Sequence, residues 1–418
     1  MIRRLELLFV TAFLVVAAFS TGLPYLFYLL YLAILVIGGS YVLVRLGLTD
    51  LEAGYAVSQL HGHVGDRMRV TYTLRNGSRL PKLWLEVHNP TTLPGALPGR
   101  AITLGGRSER SWLIRVPLSR RGHFRIEPLH IRTGDPFGFF EAAATVGQGV
   151  SVIVYPRLEP IPSWRLPSAI LEGSHASPER TLQTTPLATS VRPYAPGDAM
   201  NRIHWKTTAR HGELQVKEFD LEQTADAWII LDLQRGIGAG RGDDSTTEAA
   251  IRVAAAVSDK AIAENRAVGF TVNAGRTAFL PADRGGRQHQ KIMQLLAAVE
   301  ADGQAPLVET LISTVGRLRR GMTAVVITPS LDPSWVRPLA SLRTRGVACV
   351  VVTFDVGEYD RVGQAADAAA SGRHVVVDPV EVEAAAKRAR ALRHALAEYE
   401  LLFHVVTPGR PLGEVLIR

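Results

Sequence analysis

Two apolar runs at the N-terminus constrain this chain more than any other feature of its sequence. Residues 5–19 and 25–44 contain a single charged residue, Glu6. The second run is about as long as the roughly 20 residues that cross a bilayer core, and the first run is marginal. An uncharged turn over residues 21–24 separates them, which favours a transmembrane helical hairpin. The predicted hairpin occupies residues 1–48, with spans at about residues 5–20 and 24–44.

Arginines at the ends of the apolar runs predict the orientation. Arg3, Arg4 and Arg45 all lie on the cytoplasmic side of such a hairpin. In an alternative interpretation the first run is a signal peptide cleaved near residues 18–20, and the second is a stop-transfer helix. Both interpretations leave the rest of the chain in the cytoplasm, anchored to the inner (plasma) membrane. The lone cysteine, Cys349, allows no intramolecular disulfide and agrees with that compartment.

The formal net charge of +8 raises the question of a nucleic-acid partner. The arginines are interleaved with acidic residues along the chain, and no recognised nucleic-acid motif accompanies them. Attraction of a membrane-anchored protein to the anionic inner leaflet explains the same excess. We therefore expect no nucleic-acid partner, and the sequence does not give the oligomeric state.

Residues 51–160 carry short β-rich runs separated by glycine and proline, such as Val70–Leu74 and Leu83–Val87. This spacing predicts an all-β sandwich of the immunoglobulin or fibronectin type. Asn76 and Gly77, followed by serine, match a glycosylation sequon, but Asn-Gly is also a strong hairpin turn. In a cytoplasmic domain the turn is the better interpretation.

The composition changes twice after the predicted sandwich. Residues 161–189 are rich in Pro, Ser and Thr, which predicts an extended linker or a strap packed over a neighbouring domain. Within residues 225–418, apolar runs alternate with amphipathic helical patterns; the runs include 227–233, 323–328 and 347–354. That alternation predicts a parallel, doubly wound, Rossmann-like α/β sheet.

Between linker and sheet, residues 190–224 concentrate charges, aromatic residues and turn residues. Pro196 and Gly197 suit the central positions of a type II turn. Asp198 then stands where a helix N-cap is expected, and Gly212 where the helix should end. The segment therefore predicts a helix of roughly three turns.

This predicted helix carries a basic stripe, because Arg202, Lys206 and Arg210 recur at intervals of four residues. One hypothesis is that the stripe docks an acidic partner. The alternative is a solvated face whose cations pair with nearby acidic residues. Those acidic residues are Glu213, Glu218, Asp220 and Glu222.

Ile203 and Trp205 are expected to be core anchors, since large apolar side chains are usually buried. His204 has no second His or Cys at metal-binding spacing nearby. A packed or hydrogen-bonded histidine is therefore the better prediction for His204.

The segment resembles the signature of the domain of unknown function 58 family, in which an Arg-x-Tyr-x-Pro-Gly-Asp turn runs into an Ile-His-Trp-Lys helix and then Ala-Arg. About a dozen positions at fixed spacing are far more specific than a short motif. The resemblance implies a membrane-linked accessory protein with a von Willebrand factor A-like domain, found alongside MoxR-type AAA+ ATPases, and no biochemical activity is established for the family. The matching residues are Arg192, Tyr194, Pro196, Gly197, Asp198, Ile203, His204, Trp205, Lys206, Ala209 and Arg210.

Asp232 lies near the carboxyl end of the first strand of the predicted α/β sheet, where ligands of such sheets bind. A working A-domain metal site carries Asp-x-Ser-x-Ser there, because a carboxylate and two hydroxyls suit a hard cation. Here Gln234 and Gly236 replace both serines, and Arg235 adds a cation. Asp232 is therefore a degenerate metal position, and we expect no metal and no cofactor.

The sequence contains no Gly-x-Ser-x-Gly elbow, no His-Glu-x-x-His motif and no phosphate-loop lysine, so an enzyme is not expected. The leading hypothesis is a membrane-anchored, non-enzymatic scaffold that presents a metal-free A-like domain to a protein partner, with a MoxR-type ATPase as the candidate. The first alternative is a cation-dependent binding domain with an atypical metal site. A hydrolase that uses carboxylates or His204 is the second.

Overall fold

The computed structural model describes most of the 418 residues. The described residues are 2–95, 97–167, 190–195, 198, 200, 203–218, 226–275, 277–371 and 379–417. They group into two compact units, residues 1–158 with 293–299 and residues 159–292 with 300–418.

The first unit begins with two helices and continues with ten strands. The helices are α1 (Ile2–Thr21) and α2 (Pro24–Gly47). The strands are β1 (Leu51–Val57), β2 (His61–His63), β3 (Arg67–Asn76), β4 (Lys82–His88), β5 (Arg100–Leu104), β6 (Glu109–Pro117), β7 (Gly122–Ile126), β8 (Leu129–Gly134), β9 (Glu141–Val146) and β10 (Val150–Tyr155).

Helix α2 is long and apolar enough to cross a membrane, whereas the apolar part of α1, Phe9–Thr21, is shorter. A two-residue connection, Gly22 and Leu23, joins the two helices where the sequence predicts a turn. Gly22 adopts a φ of 65°, which glycine accepts without strain. The expected pair of N-terminal apolar helices is therefore present, and α2 is long and apolar enough to cross a membrane.

The strands of the first unit form three small sheets with the orders β1-β3-β6, β2-β10-β7 and β5-β4-β8-β9. Alternating side chains of β3 are buried, as expected for a strand with one face on a core. The core they share includes Val70, Leu85, Ile131 and Val154. The prediction of an all-β region is confirmed.

The turn after Asn76 differs from the expectation. Strand β3 pairs with β1 and β6, and β4 pairs with β5 and β8, so the two strands form no hairpin. Asn76 is buried, and its Nδ2 donates to the carbonyls of Leu80 and Gly105, both at 2.8 Å. Its Oδ1 accepts from the Ser78 hydroxyl at 2.8 Å. The asparagine therefore organises a connection between two sheets.

The second unit begins with a described stretch, residues 159–167, that packs onto the α/β part. Trp164 is buried, and its indole nitrogen donates to His404 Nε2 at 3.4 Å. The Thr323 hydroxyl donates to the Pro167 carbonyl at 2.6 Å. These residues at the start of the predicted linker therefore behave as a strap, while residues 168–189 lie outside the described part.

The remaining elements follow in chain order. They are β11 (Ser190–Pro193), α3 (Trp205–His211), β12 (Gln215–Glu218), β13 (Ala227–Asp232), α4 (Thr246–Ala263), β14 (Val268–Asn273), β15 (Thr277–Asp283), α5 (Gly285–Ala298), α6 (Leu307–Val315), β16 (Thr323–Ile327), α7 (Val336–Thr344), β17 (Ala348–Phe354), α8 (Val356–Ser371), α9 (Pro379–Glu398), β18 (Leu402–Val406) and α10 (Leu412–Val415).

The main sheet of this unit has the order β15-β14-β13-β16-β17-β18. Strands β14, β13, β16, β17 and β18 are parallel, and β15 is an antiparallel edge strand. Every residue of β13, β14 and β16 is buried, as expected for strands covered on both faces. The predicted α/β region is confirmed, although the sequence did not predict β15 or α8.

Candidate functional site

The signature residues form a two-stranded ribbon with a short helix in its loop. Strands β11 and β12 are antiparallel, with Arg192 opposite Val216. An isolated bridge joins Ile203 to Val216, and both side chains are buried. The Tyr194 backbone N–H donates to the Leu214 carbonyl at 2.8 Å and extends the pairing. The ribbon thus brings the first and last parts of the segment together.

An ion pair closes the turn that follows β11. Arg192 donates to both carboxylate oxygens of Asp198, at 2.8 and 2.7 Å, and the Ala195 N–H donates to Asp198 Oδ2 at 2.9 Å. The Asp198 side chain is 6% exposed and that of Arg192 is 39% exposed. Such a two-pronged pair fixes direction as well as distance. Asp198 therefore holds the turn, and it does not cap α3, which begins at Trp205.

The helix is shorter than the sequence suggested, because it begins at Trp205. His204 is the N-cap: its Nδ1 accepts from the Thr207 N–H at 3.2 Å and lies 2.6 Å from the Thr207 hydroxyl. Gly212 ends the helix with a φ of 75°, as predicted. The hydrogen-bonded role expected for His204 is confirmed. Pro196, Gly197 and Arg202 lie outside the described residues, so the predicted type II turn stays a prediction.

The prediction that Trp205 is a core anchor is wrong, because its side chain is 65% exposed. Ile203 is 3% exposed and fills the expected core position. The difference arises at the cap, since Ile203 pairs with β12 and Trp205 opens the helix. Met200 and Leu214 are also exposed. The described part of the signature segment therefore carries solvent-facing apolar side chains.

Lys206 and Arg210 lie one turn apart on α3, and both are exposed. The basic stripe is reduced to these two within the described helix, because α3 begins after Arg202. No ion pair joins either cation to Glu213, the one of the four candidate acids whose side chain is described. Arg210 also lies in the last turn of the helix, where a cation is favoured.

Asp232 lies at the carboxyl end of β13 and is fully buried. Its Oδ2 accepts from the Thr328 hydroxyl at 2.8 Å. Its Oδ1 accepts from Asn273 Nδ2 at 3.1 Å and from the Gln234 N–H at 3.2 Å. The carboxyl group therefore ties together the ends of three neighbouring parallel strands.

Burial raises the pKa of Asp232 above its ordinary value, and the hydrogen bonds from Thr328, Asn273 and Gln234 oppose that rise. Each carboxylate oxygen already accepts from a protein donor, and Oδ1 accepts from two. Among the described residues, no group of three His, Cys, Asp or Glu side chains is placed to hold a metal ion. Asn273 was missed in the sequence, although its place at the end of a buried strand is the signal that could have found it.

The structure thus defines a protein with N-terminal apolar helices, an all-β region and an α/β region that carries an exposed signature ribbon. Residues 190–392 match the family described as "Protein of unknown function DUF58". The match includes the ribbon and most of the α/β sheet.

The chain is 24% identical over 273 residues to "Uncharacterized protein YeaD" of Bacillus subtilis, covering 62% of this chain and 65% of that relative. It is 29% identical over 171 residues to "Uncharacterized protein Rv1480" of Mycobacterium tuberculosis, covering 39% and 53%. The matches therefore span about half to two thirds of these relatives. The CARDB domain of a Pyrococcus furiosus protein aligns with 25% of this chain and 92% of its own length, at 13% identity and a TM-score of 0.19.

Proposed function

We propose that this protein is a membrane-anchored, non-enzymatic scaffold whose signature ribbon docks a protein partner. The observation that carries the proposal is the exposed indole of Trp205, which lies next to Lys206 and one turn or so from Arg210 on the same short helix. Tryptophan and arginine are enriched among the residues that contribute most to binding at protein interfaces. A large exposed indole on a helix otherwise rich in polar residues has no role in the core of the chain.

The charge of this surface favours an acidic partner. Lys206 and Arg210 are exposed and make no described ion pair, so their positive field is available for steering an approaching molecule. The finer assignments suggested by the sequence remain part of the proposal. They are an immunoglobulin- or fibronectin-like sandwich, a metal-free von Willebrand factor A-like domain, and a MoxR-type AAA+ ATPase as the partner.

The membrane part of the proposal rests on α2 and on its connection to the β region. A helix of 24 residues is about 36 Å long, enough for a hydrocarbon core of about 30 Å. At its C-terminal end, Lys82 Nζ donates to the carbonyls of Leu46 and Thr49. A cation at that position binds one carbonyl of the last turn of the helix, that of Leu46, and one carbonyl of the turn that follows, that of Thr49. The proposed anchor would therefore continue into the folded β region without a free hinge.

Co-purification from solubilised membranes tests the docking surface. Trp205→Ala and the double change Lys206→Glu/Arg210→Glu should each abolish recovery of the partner at low salt. Binding of the natural protein should weaken as salt increases, because exposed charges are screened. Lys291→Glu, a charge reversal at an exposed position outside the ribbon, is the control and should leave recovery unchanged. Normal recovery with both ribbon variants would refute the proposal.

The orientation has its own test. A reporter fused after Arg418 should be active only in the cytoplasm, because Arg3, Arg4 and Arg45 flank the apolar helices on that side. Strong alkaline phosphatase activity from the same fusion would place the α/β region on the opposite side of the membrane and would exclude a cytoplasmic partner.

A cation-dependent binding domain is the second candidate, favoured by the position of Asp232 beside Thr328 and Asn273 at the carboxyl ends of central strands. A cation that binds only the folded state would raise the melting temperature. We expect millimolar Mg²⁺ to leave the melting temperature of the purified chain unchanged. A rise that disappears in Asp232→Asn would instead support the cation-dependent function.

A further inference from the structure

A cavity of the α/β unit lies at the carboxyl end of β17, and Asp232 does not line it. It has a volume of about 230 Å³ and is enclosed by the start of α8, one face of α9 and the end of β18. A cavity of about 150 Å³ suffices to hold benzene, so this one has room for a small organic molecule. The carboxyl ends of parallel strands are also where ligands of open α/β sheets bind.

The inner wall of the cavity carries a hydroxyl with no partner. Thr353, on β17, is 4% exposed, and its Oγ1 makes no hydrogen bond among the described residues. Buried hydroxyls are almost always paired, so an unpaired one that lines a cavity points to a group that enters from outside. The neighbouring walls are apolar and include Phe354, Ala389 and Val405.

The rim of the cavity is basic. Arg390 and Arg393 on α9 both line it, are exposed, and make no ion pair with a described carboxylate. Arg361 on α8 also lines it but is paired with Glu358 at 2.8 Å. Asp355, the acidic group on the wall, accepts from the Glu358 N–H at 3.2 Å and caps α8. Two arginines are therefore left to bind an anion at the mouth.

We propose that the cavity between α8 and α9 binds a small organic anion. Its phosphate or carboxylate group contacts Arg390 and Arg393, its body packs against the apolar walls, and a polar atom of that body pairs with the Thr353 hydroxyl. Arginine suits either oxyanion, because its planar donors match both geometries. This site is independent of the signature ribbon and of the proposed partner.

Titration calorimetry on the full chain in neutral detergent tests the site with three probes: inorganic phosphate, phenyl phosphate and benzoate. We expect saturable binding of phenyl phosphate or benzoate, and the tighter one identifies the head group. Inorganic phosphate should bind at least about tenfold more weakly than phenyl phosphate, since it lacks the apolar body. The absence of saturable binding by both aromatic anions would overturn the proposal.

Variants on α9 distinguish binding at the cavity from a general effect of positive charge. Arg390→Gln and Arg393→Gln should each lower the affinity for the aromatic anion about tenfold, because each removes a charge-assisted contact. Arg388→Gln is the matched control: Arg388 is exposed on the same helix but does not line the cavity. Equal affinity losses in all three variants would contradict the assignment.

Thr353 gives an independent readout without ligand. Thr353→Val keeps the shape and removes the unpaired hydroxyl, so it should raise the melting temperature by about 2–4 °C. Thr353→Ser keeps the hydroxyl and should not produce this rise. A lower melting temperature in Thr353→Val would mean that the hydroxyl already has a partner. That result would contradict the assignment of Thr353 to the ligand.

Discussion

The carboxyl edge of the sheet around Asp232 and the helix α3 of the signature ribbon present opposite arrangements. At the sheet edge a charged side chain is fully buried and accepts three hydrogen bonds from the protein. On α3 a tryptophan is 65% exposed beside two exposed cations. The carboxyl group of Asp232 thus faces the interior, and the indole of Trp205 faces solvent.

This contrast shows which features of a sequence indicate binding. Asp232 stands at the position where related sheets bind ligands, yet its oxygens are engaged in holding three strand ends together. Trp205 looks like a core residue by its chemistry, yet its place at the first turn of a seven-residue helix leaves it on the surface. Position in the fold therefore distinguishes the two roles better than residue type.

The largest expected effect comes from removing the Asp232 side chain. Asp232→Ala should lower the free energy of unfolding of the α/β unit by about 3–5 kcal/mol, because each buried donor left unpaired costs about 1–3 kcal/mol. Chemical denaturation followed by fluorescence of the buried Trp228 measures it. Asp232→Asn, which keeps the shape and an acceptor, should cost less. A loss below about 1 kcal/mol in Asp232→Ala would show that the hydrogen bonds of Asp232 do not stabilise the ends of these strands.

The pH dependence of the same residue gives a smaller effect. Burial raises the pKa of Asp232 in the folded chain above its ordinary value of 3.8, so the folded state holds the proton more tightly than the unfolded state. The associated stability is fully present below pH 3.8 and decreases as the pH rises through the folded pKa.

Asp232→Asn cannot titrate and isolates this contribution. The stability difference between the natural chain and Asp232→Asn should therefore change in favour of the variant as the pH rises from 3.8. Denaturation of both proteins over a series of pH values measures the change. A difference that moves in the opposite direction would mean that the three hydrogen bonds outweigh burial and lower the pKa.

The ribbon should respond locally to the loss of its ion pair. Asp198→Ala removes the acceptor of Arg192 and of the Ala195 N–H, which should destabilise the turn by about 1–2 kcal/mol. Amide hydrogen exchange of residues 190–218 should accelerate about tenfold, since 1.4 kcal/mol corresponds to that factor. Exchange in β13 and β16 should be unchanged. Equal acceleration in those strands would show that the ribbon and the sheet unfold together.

The sequence predicted the sheet much better than it predicted the ribbon. The runs that form β13, β16 and β17 are continuous and apolar because both faces of these strands are covered. Such a pattern can be recognised from the sequence alone. Helix α8 was missed because it begins two residues after a strand and contains two glycines, Gly357 and Gly363. The cavity beside it was missed with it.

The errors in the ribbon have a different physical origin. Asp198 has the residue type of an N-cap, but its carboxylate is paired with an arginine six residues earlier, and His204 caps α3. The contact between Asp232 and Asn273 could have been inferred, because both residues end neighbouring parallel strands in register. Pairings within a turn depend on backbone directions that the spacing of residues does not specify.

The smallest expected effect on stability is at the surface of α3. Lys206→Glu/Arg210→Glu and Trp205→Ala should each change the free energy of unfolding by less than about 0.5 kcal/mol, because exposed side chains contribute little to the folded state. The same changes should abolish partner recovery, so stability and binding separate on α3, whereas at Asp232 the main effect is on stability. Denaturation and co-purification of the same protein samples measure both quantities. A loss of about 2 kcal/mol or more in Trp205→Ala would mean that the indole is packed in solution, and the exposed tryptophan would no longer support a docking surface.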